Sequence, residues 1–310
     1  MKQIIALAVS ILIMAAIFSR IDLAAFKQNV SEMNPWLLTS AVLFFIPQIA
    51  VTAFRWKEMV RKRIDISLWE SVKLILAGNA LNILLPSRVG DLSKAYFLKR
   101  EGKLDIKRGM NIVFFEKYID LASLGVVIVA GIFWTTTWDQ PSYLGLFFAL
   151  ITIGMFPILY FLRLDRWLEN PFFEKHRFLG KIKHFLLDSQ EYLQEIKNDT
   201  KQLSFILALS VFLWFLHILQ FYVIFLSFHS QVSLSQVFRL VPLAILVGLI
   251  PLTLAGVGTR DSALIYFFTP YEAAARVVGV GLFASLRYFV PGILGLPFLN
   301  QYIIKEPSVP

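Results

Sequence analysis

The sequence predicts an all-α integral membrane protein with about six spanning helices and two further segments that are re-entrant or broken, arranged as an inverted repeat. Three observations support this fold class. Hydrophobic residues make up 57% of the 310 residues, and charged residues only 16%. The apolar residues are concentrated in eight long segments, as helices that cross a bilayer require. Lysine and arginine are distributed unevenly between these segments, as in chains with cytoplasmic and external loops.

The eight apolar segments differ in length and in their content of proline. Six of them can cross a hydrocarbon core, which needs about 20 helical residues. The segment 72–86 is shorter and ends at Pro86, whereas the segment 237–256 contains Pro242 and Pro251. Because proline interrupts a helix, these two segments are predicted to be broken. The eight segments are 3–19, 36–54, 72–86, 111–134, 142–162, 203–228, 237–256 and 277–299.

Basic residues predict the orientation of the chain. Thirteen Lys or Arg residues lie between 55 and 108, on both sides of the segment 72–86, and eight more lie between 163 and 201. The stretch 118–162 contains none. The positive-inside rule therefore predicts a protein of the cell membrane with the loop 135–141 outside and both termini on the cytoplasmic side. The predicted cytoplasmic segments are 55–71, 87–110 and 163–202. Since both flanks of 72–86 are then cytoplasmic, we expect it to enter the membrane and return to the same face.

The chain is predicted to form one membrane domain, 1–310, made of two halves. The first half covers about 1–162 and the second about 203–310. The connector 163–202 interleaves aromatic and aliphatic residues with charges. This pattern indicates one or two amphipathic helices lying on the membrane. A solvated linker is the alternative interpretation.

Composition excludes several classes of function. The chain contains no cysteine, so it has no disulfide, thiol nucleophile or thiolate metal site. Its four histidines form no close metal-ligand pair, and no cofactor is predicted. The net charge of +9 is explained by cytoplasmic loops beside anionic lipid head groups, so nucleic acid is not an expected partner.

The first candidate site follows the segment 72–86. Asn79 and Asn82 are three residues apart and share one helical face in an apolar run. Buried amides need hydrogen-bonding partners or a wet cavity. Pro86 ends the helix and Gly90 allows a turn, so this motif is predicted to be a break. Arg88 and Asp91 come next, and the planar guanidinium of arginine suits phosphate.

The second candidate site repeats this arrangement. Pro251 interrupts an apolar segment, Gly256 and Gly258 follow, and Arg260 and Asp261 come next. Paired interrupted segments in the two halves of a chain are typical of the central site of a transporter. The alternative interpretation is that each Pro-Gly pair is an ordinary loop.

Further charged residues fall within the predicted spans. Glu116 and Asp120 are four residues apart on one face of a long apolar helix, and Lys117 lies between them. They form either a functional group or a simple cap near the interface. Arg287 lies in the last span and needs a counter-charge, for which Asp261, Glu116 or Asp120 are candidates.

Taken together, these motifs resemble the membrane domain of lysylphosphatidylglycerol synthases, the flippase-like family. The matching residues are Asn82, Leu85 to Asp91, Glu116 to Asp120, Pro251 to Asp261, and Arg287 with Pro291 and Gly292. The chain departs from the family pattern at four positions, which are Lys117 in place of Arg, Ala255, Thr259, and Asp261 in place of Glu. Larger members carry a soluble aminoacyl-transferase domain, for which this chain has no room after its last span.

The resemblance implies a lipid translocase that moves an anionic phospholipid or a polyprenyl-phosphate-linked lipid. The sequence has no GxxxxGK[ST] loop, so movement without ATP hydrolysis is expected. Arg88 and Arg260 are expected to contact phosphate, Asn79 and Asn82 to bind the head group, and the carboxylates to position the arginines. The alternatives are a membrane-embedded lipid-modifying enzyme, a small-solute transporter, and an accessory subunit of a cell-envelope glycosyltransferase system. No catalytic set is recognised, and a protein partner in envelope biosynthesis stays open.

Overall fold

The computed structural model describes residues 2–84, 90–162, 164, 177–250, 252–253 and 256–304, and it confirms the all-α fold within them. The first half contains α1 (Lys2–Phe18), α2 (Leu23–Glu32), α3 (Pro35–Leu43), α4 (Phe45–Val60), α5 (Leu68–Leu84), α6 (Ser93–Arg100), α7 (Ile106–Thr135) and α8 (Gln140–Phe161). The connector contains α9 (Arg177–Ile196). The second half contains α10 (Thr200–Ser227), α11 (Leu234–Gly248), α12 (Thr259–Phe268), α13 (Ala274–Ala284) and α14 (Leu286–Ile304).

Within the described residues, five stretches are long and apolar enough to cross a membrane. They are Pro35–Val60, Ile106–Thr135, Gln140–Phe161, Thr200–Ser227 and Ala274–Tyr302. The first joins α3 to α4, and the last joins α13 to α14. Helix α1 has 17 residues and is followed by α2 at an angle of 97°, so the two form a sixth span only if they are counted together. The prediction of about six spans is therefore confirmed, with the first span sharply bent.

Short acidic side chains fix where the long helices begin. The carboxylates of Asp105, Asp139 and Asp199 each accept a hydrogen bond from a backbone N–H of the following turn, at 2.9, 3.0 and 3.0 Å. Such caps satisfy donors that have no partner inside the helix and contribute about 1 kcal/mol each. They set the first residues of α7, α8 and α10.

Helices α5 and α6 form a hairpin, here called the first hairpin (residues 68–100). Near its tip, a Cβ on Gly90 would collide with the carbonyl oxygen of Gly78 and stand 2.7 Å from the backbone nitrogen of Asn82. Just beyond its other end, Lys103 forms an ion pair with Glu70. Residues before and after the turn are thus in contact both near the tip and at the open end. The chain therefore returns to the end of the bundle from which α5 started. This is the geometry expected of a re-entrant segment.

Helices α11 and α12 form a second hairpin (residues 234–268). Gly256 and Gly258 have φ angles of +78° and +99°, a backbone region that glycine adopts without strain. A Cβ on Gly256 would stand 2.8 Å from the carbonyl oxygen of Gly248. At the open end, Ser230 donates a hydrogen bond of 2.6 Å to Glu272. The second apolar break therefore also turns the chain back on itself. The inverted-repeat relation between the two halves stays a prediction.

The last helix packs against the first hairpin. A Cβ on Gly292 of α14 would stand 3.0 Å from the carbonyl oxygen of Asn79 on α5, so the two backbones are in close contact. Further along, the rings of Trp69 and Phe298 are 5.9 Å apart in an edge-to-face arrangement. Since residue numbers rise along α14 as they fall along α5, the two helices are antiparallel.

The connections lie at two opposite ends of the bundle. At the basic end, Arg61 after α4 pairs with Asp199 before α10 at 3.0 Å. At the other end, Asp139 before α8 pairs with Arg239 of α11 at 2.5 Å. Partial burial opposes ionisation of Asp139, but hydrogen bonds from Ser142 and Arg239 outweigh it and hold the pKa of that carboxyl below its ordinary value. Described parts of all three predicted cytoplasmic segments thus meet at one end, opposite the loop 135–141, through the pairs of Arg61 with Asp199 and Lys107 with Glu191. Arg55, Asp91 and Lys94, which belong to two of these segments, lie instead at a cavity inside the bundle, so the cytoplasmic assignment of these three residues is wrong.

The described part of the connector is an amphipathic helix, as predicted, rather than a solvated linker. Tyr192 of α9 is fully buried, donates a hydrogen bond to the carbonyl oxygen of Met59, and packs on Phe115 with 5.0 Å between ring centroids. Gln190 donates to the carbonyl oxygen of Leu159 at 3.0 Å. These contacts fix α9 across the basic ends of α4, α7 and α8. The boundaries proposed for the two halves stay a prediction.

Helix α7 joins two hydrophobic cores. Its first part packs with α4, the first hairpin and α9, and its residues Ile112 to Ala122 belong to that core. Its later residues, Leu124 to Ile132, belong to a second core with α10 and the second hairpin. The charged residues Glu116 and Asp120 lie just before the point at which the helix passes from one core to the other.

Candidate functional site

A cavity of about 190 Å³ lies deep in the bundle, between α4, the first hairpin, α7, α10 and α14. Glu116, which lines it, is ten residues from the start of α7 and thus about 15 Å along that helix. Since a hydrocarbon core is about 30 Å thick, the cavity lies at the depth of the apolar part of a bilayer. Charged side chains at such a depth are expensive and usually serve a function.

The most buried charges form a fixed ionic core. Arg55 of α4 donates hydrogen bonds to Glu116 at 3.1 Å, to Asp120 at 2.6 Å and to the hydroxyl of Ser210 at 2.9 Å. Lys94 of α6 forms an ion pair with the second oxygen of Glu116. Charges buried this far are tolerated when they are paired and hydrogen-bonded, as here.

A second layer of charge faces the cavity beside this core. Lys117 pairs with Asp91 at 2.5 Å and lies 3.6 Å from Asp120. Asp91 also accepts a hydrogen bond of 3.0 Å from the side-chain amide of Asn82. The amide oxygen of Asn82 is buried and accepts no hydrogen bond from the residues that the structure describes. This oxygen lies against Gly90 at the tip of the first hairpin.

The cavity carries an excess of positive charge. Its described lining includes four cationic side chains and three anionic ones. With histidine neutral, this leaves one positive charge in excess. The cations are Arg55, Lys94, Lys117 and Arg287, and the anions are Asp91, Glu116 and Asp120.

Arg287 enters the cavity wall among aromatic rings. Its guanidinium carbon is 4.8 Å from the ring centroid of Tyr288 and 5.3 Å from that of Phe221, which is a cation–π arrangement. The carboxylates proposed from sequence as its partners form ion pairs with other cations. Glu116 and Asp120 pair with Arg55, and Asp261 pairs with Arg260. Arg287 is thus held at least in part by ring faces.

The residues of the second break lie behind this wall. Arg260 donates to Asp261 at 2.6 Å, to the carbonyl oxygen of Gly281 at 2.7 Å and to Ser285 at 3.0 Å. Asp261 also accepts a hydrogen bond of 2.9 Å from the backbone N–H of Gly258. The pair is almost fully buried and ties the tip of the second hairpin to α13.

The structure brings together most of the residues singled out from the sequence. Asn79, Asn82, Asp91, Glu116, Asp120 and Arg287 line the cavity. Gly90 lies at the tip of the first hairpin, and Gly256 and Gly258 lie at that of the second. Arg260 and Asp261 are outside the lining, so their contact with a head group stays a prediction. Pro86, Arg88 and Pro251 lie outside the described residues.

Sequence reasoning gave no site role to two residues at the centre of the network. Arg55 follows an apolar segment, and the sequence predicts it only as a basic residue of the cytoplasmic segment 55–71. Lys94 lies close to the first motif and was likewise not assigned. A search for charges within about two helical turns of the end of an apolar segment would have selected Arg55. Its partners could not be inferred, because Glu116 and Ser210 are 61 and 155 residues away along the chain.

Comparison of the chain with known sequences identifies its family. The family described as "Lysylphosphatidylglycerol synthase TM region" matches residues 3–295. The chain belongs to this family. It is similar to a UPF0104 membrane protein of Methanothermobacter thermautotrophicus, with 23% identity over 98% of both chains. It is also similar to a UPF0104 membrane protein of Methanocaldococcus jannaschii, with 26% identity over 98% of this chain and 96% of the relative. This chain therefore spans nearly the whole length of both relatives.

Proposed function

We propose that the chain is a lipid translocase, which moves an anionic phospholipid or a polyprenyl-phosphate-linked lipid across a cell membrane without ATP hydrolysis. The observation that carries the proposal is the deep cavity with one excess positive charge. A phosphate head group cannot pass through hydrocarbon alone, because an unpaired charge loses its hydration there. A polar cavity at this depth replaces part of that hydration.

The size of the cavity supports head-group binding rather than uptake of a whole lipid. Pockets that enclose drug-sized ligands measure about 300–1,000 Å³, and this cavity is smaller. It has room for a phosphate and a small polar group, while the acyl chains stay among lipid and apolar helix faces. Phe45, Ile49, Ile83 and Phe289 supply an apolar part of its lining.

The described side chains supply the contacts that a phosphate head group needs. Asn79 and Asn82 line the cavity and offer amide groups to a head group. Lys117 and Arg287 are the cations that the fixed core does not use. In this proposal Arg260 and Asp261 hold the second hairpin in place. The sequence motif also predicts that Arg88 contacts phosphate, and that residue lies outside the described part of the chain.

Reconstitution into vesicles tests the proposal. The vesicles contain phosphatidylglycerol with a fluorescent group on one chain, and dithionite bleaches only the label in the outer leaflet. We expect the wild-type protein to move labelled lipid from the inner to the outer leaflet, where dithionite bleaches it. Lys117→Gln should slow this bleaching about tenfold or more, because it removes a charge-assisted contact with the head group. Lys107→Gln is the matched control, since Lys107 lies on the same helix but is exposed and pairs with Glu191 at the surface.

Two results would count against the proposal. Bleaching no faster than in vesicles without protein would exclude lipid translocation of this substrate. Equal rates for the wild type and Lys117→Gln would show that lipid moves by a route other than the cavity.

A further inference from the structure

The ionic network has two layers that differ in exposure. In the inner layer, the side chains of Arg55, Lys94 and Glu116 are at most 3% exposed. In the outer layer, the side chains of Asp91, Lys117 and Asp120 are 21% to 36% exposed. The layers touch because Asp120 also pairs with Arg55.

This difference separates the structural charges from the exchangeable ones. Removing one partner of a buried ion pair costs about 3–5 kcal/mol, because the other charge stays unpaired. The inner layer is therefore held in place. The outer pair of Lys117 with Asp91 is partly exposed and lines the cavity. An anion that enters the cavity can therefore take the place of Asp91 on Lys117, so Lys117 keeps a counter-charge and the inner layer stays intact.

The position of Asp91 gives this exchange a mechanical consequence. Asp91 comes directly after Gly90, at the tip of the first hairpin, and Asn82 of the same hairpin holds its carboxylate. Lys117 lies on α7, which packs in both hydrophobic cores. The ion pair thus ties the tip of the hairpin to a fixed helix at the edge of the cavity.

We propose that Asp91 occupies the place of the substrate phosphate on Lys117, and that a head group with a single negative charge displaces it. The proposed function supplies the ligand class, namely a lipid. The one positive charge in excess among the described lining residues supplies the charge number. A monoanionic phosphodiester makes the cavity neutral, a zwitterionic head group leaves the excess, and a dianionic phosphate monoester exceeds it. Displacement of Asp91 frees the hairpin tip from α7.

Chemical labelling of the wild-type protein in detergent tests this displacement directly. A water-soluble carbodiimide with an amine reagent modifies accessible carboxylates, and mass spectrometry measures modification at each site. We expect dihexanoyl phosphatidylglycerol to raise modification of Asp91 about threefold or more over dihexanoyl phosphatidylcholine. Glu191 is the internal control, because it is half exposed and pairs with Lys107 far from the cavity.

Affinity measurements on variants provide the second readout. Asp91→Asn removes the carboxylate that competes with the head group for Lys117. We therefore expect native mass spectrometry to show that this variant binds phosphatidylglycerol with about threefold or higher affinity than the wild type. Lys117→Gln should lose the preference for phosphatidylglycerol, and Lys107→Gln should match the wild type. Glycerophosphoglycerol, the same phosphodiester without acyl chains, separates a lipid from a soluble phosphate.

The outcomes distinguish this inference from the function on which it rests. If wild-type protein shows no preference for phosphatidylglycerol over phosphatidylcholine, the proposed transport of an anionic phospholipid fails. If it shows the preference but Asp91 modification stays constant or falls on binding, the displacement is wrong, whether or not Asp91→Asn folds. If glycerophosphoglycerol alone releases Asp91 equally well, the ligand is a soluble phosphodiester and the lipid assignment is wrong.

Discussion

At the scale of single residues, the tip of the first hairpin depends on the absence of a side chain at position 90. Gly90 lies against the backbone of Gly78 and Asn82, with no room for a Cβ. Only a residue without a side chain allows the chain to turn back this close to α5. The positions of Asn82 and Asp91 at the cavity follow from that close approach.

We predict that Gly90→Ala destabilises the protein by about 1–3 kcal/mol, the usual cost of forcing an extra methyl group into a packed site. Thermal unfolding in detergent measures the effect. Gly154→Ala is the matched control, because Gly154 lies in α8 with nothing within 4 Å of an added Cβ. Alanine is also the better helix former by about 1 kcal/mol, so the control should unfold at the same temperature or higher. Equal behaviour of the two variants would contradict the close approach.

The residues of the site were predictable to different degrees. Asn79, Asn82 and Asp91 could be selected because amides and carboxylates are unusual in or beside an apolar segment. Glu116 and Asp120 could be selected for the same reason. Arg55 could not be assigned a role, because its importance depends on pairing with residues far along the chain. Nε and Nη2 of Arg260 donate to Asp261, Gly281 and Ser285, and its predicted contact with phosphate stays a prediction.

At the scale of elements, the two hairpins open at opposite ends of the bundle. The open end of the first is marked by the pair of Glu70 with Lys103, beside the start of α7. That of the second is marked by Ser230 and Glu272, beside the end of α10. Each hairpin therefore reaches inward from its own side.

Single cysteines introduced into this cysteine-free chain test the arrangement. We predict that Glu70→Cys and Lys103→Cys react with a membrane-impermeant maleimide from one side of the membrane only. We predict that Ala273→Cys, at an exposed position beside Glu272, reacts only from the other side. Right-side-out and inside-out vesicles provide the two accessibilities. Modification of positions 70 and 103 from opposite sides would show that this segment spans the membrane instead of returning.

The element pattern was largely predictable, because proline and glycine interrupt the apolar segments and basic residues mark one side. The bend of 97° between α1 and α2 was not. The segment that became α2 is neither apolar enough for a span nor charged enough for a loop, and its position depends on packing against α13. The docking of α9 was predictable only as an amphipathic pattern, since its contacts with Met59 and Leu159 join distant parts of the chain.

At the scale of the whole molecule, the basic segments lie together at one end. This grouping agrees with the positive-inside rule, which we propose sets the orientation in the cell membrane. We predict that alkaline phosphatase inserted after Thr137 is active, because the enzyme folds only outside the cytoplasm. Green fluorescent protein inserted after Lys197 should fluoresce, because that turn lies at the basic end. The reverse pattern of the two reporters would invert the topology.

The participation of α7 in both hydrophobic cores has a consequence for how a substrate could leave the site. Lys117 is on this helix, so one of the groups proposed to bind the head group is stationary. Asn79 and Asn82 are on the first hairpin, whose tip is released from α7 in our proposal when Asp91 is displaced. A head group held by both α7 and the first hairpin can lose its contacts with one before it loses those with the other, in two steps rather than at once. Each step then has a lower barrier than complete release, and transport can proceed at the rate of small hairpin movements.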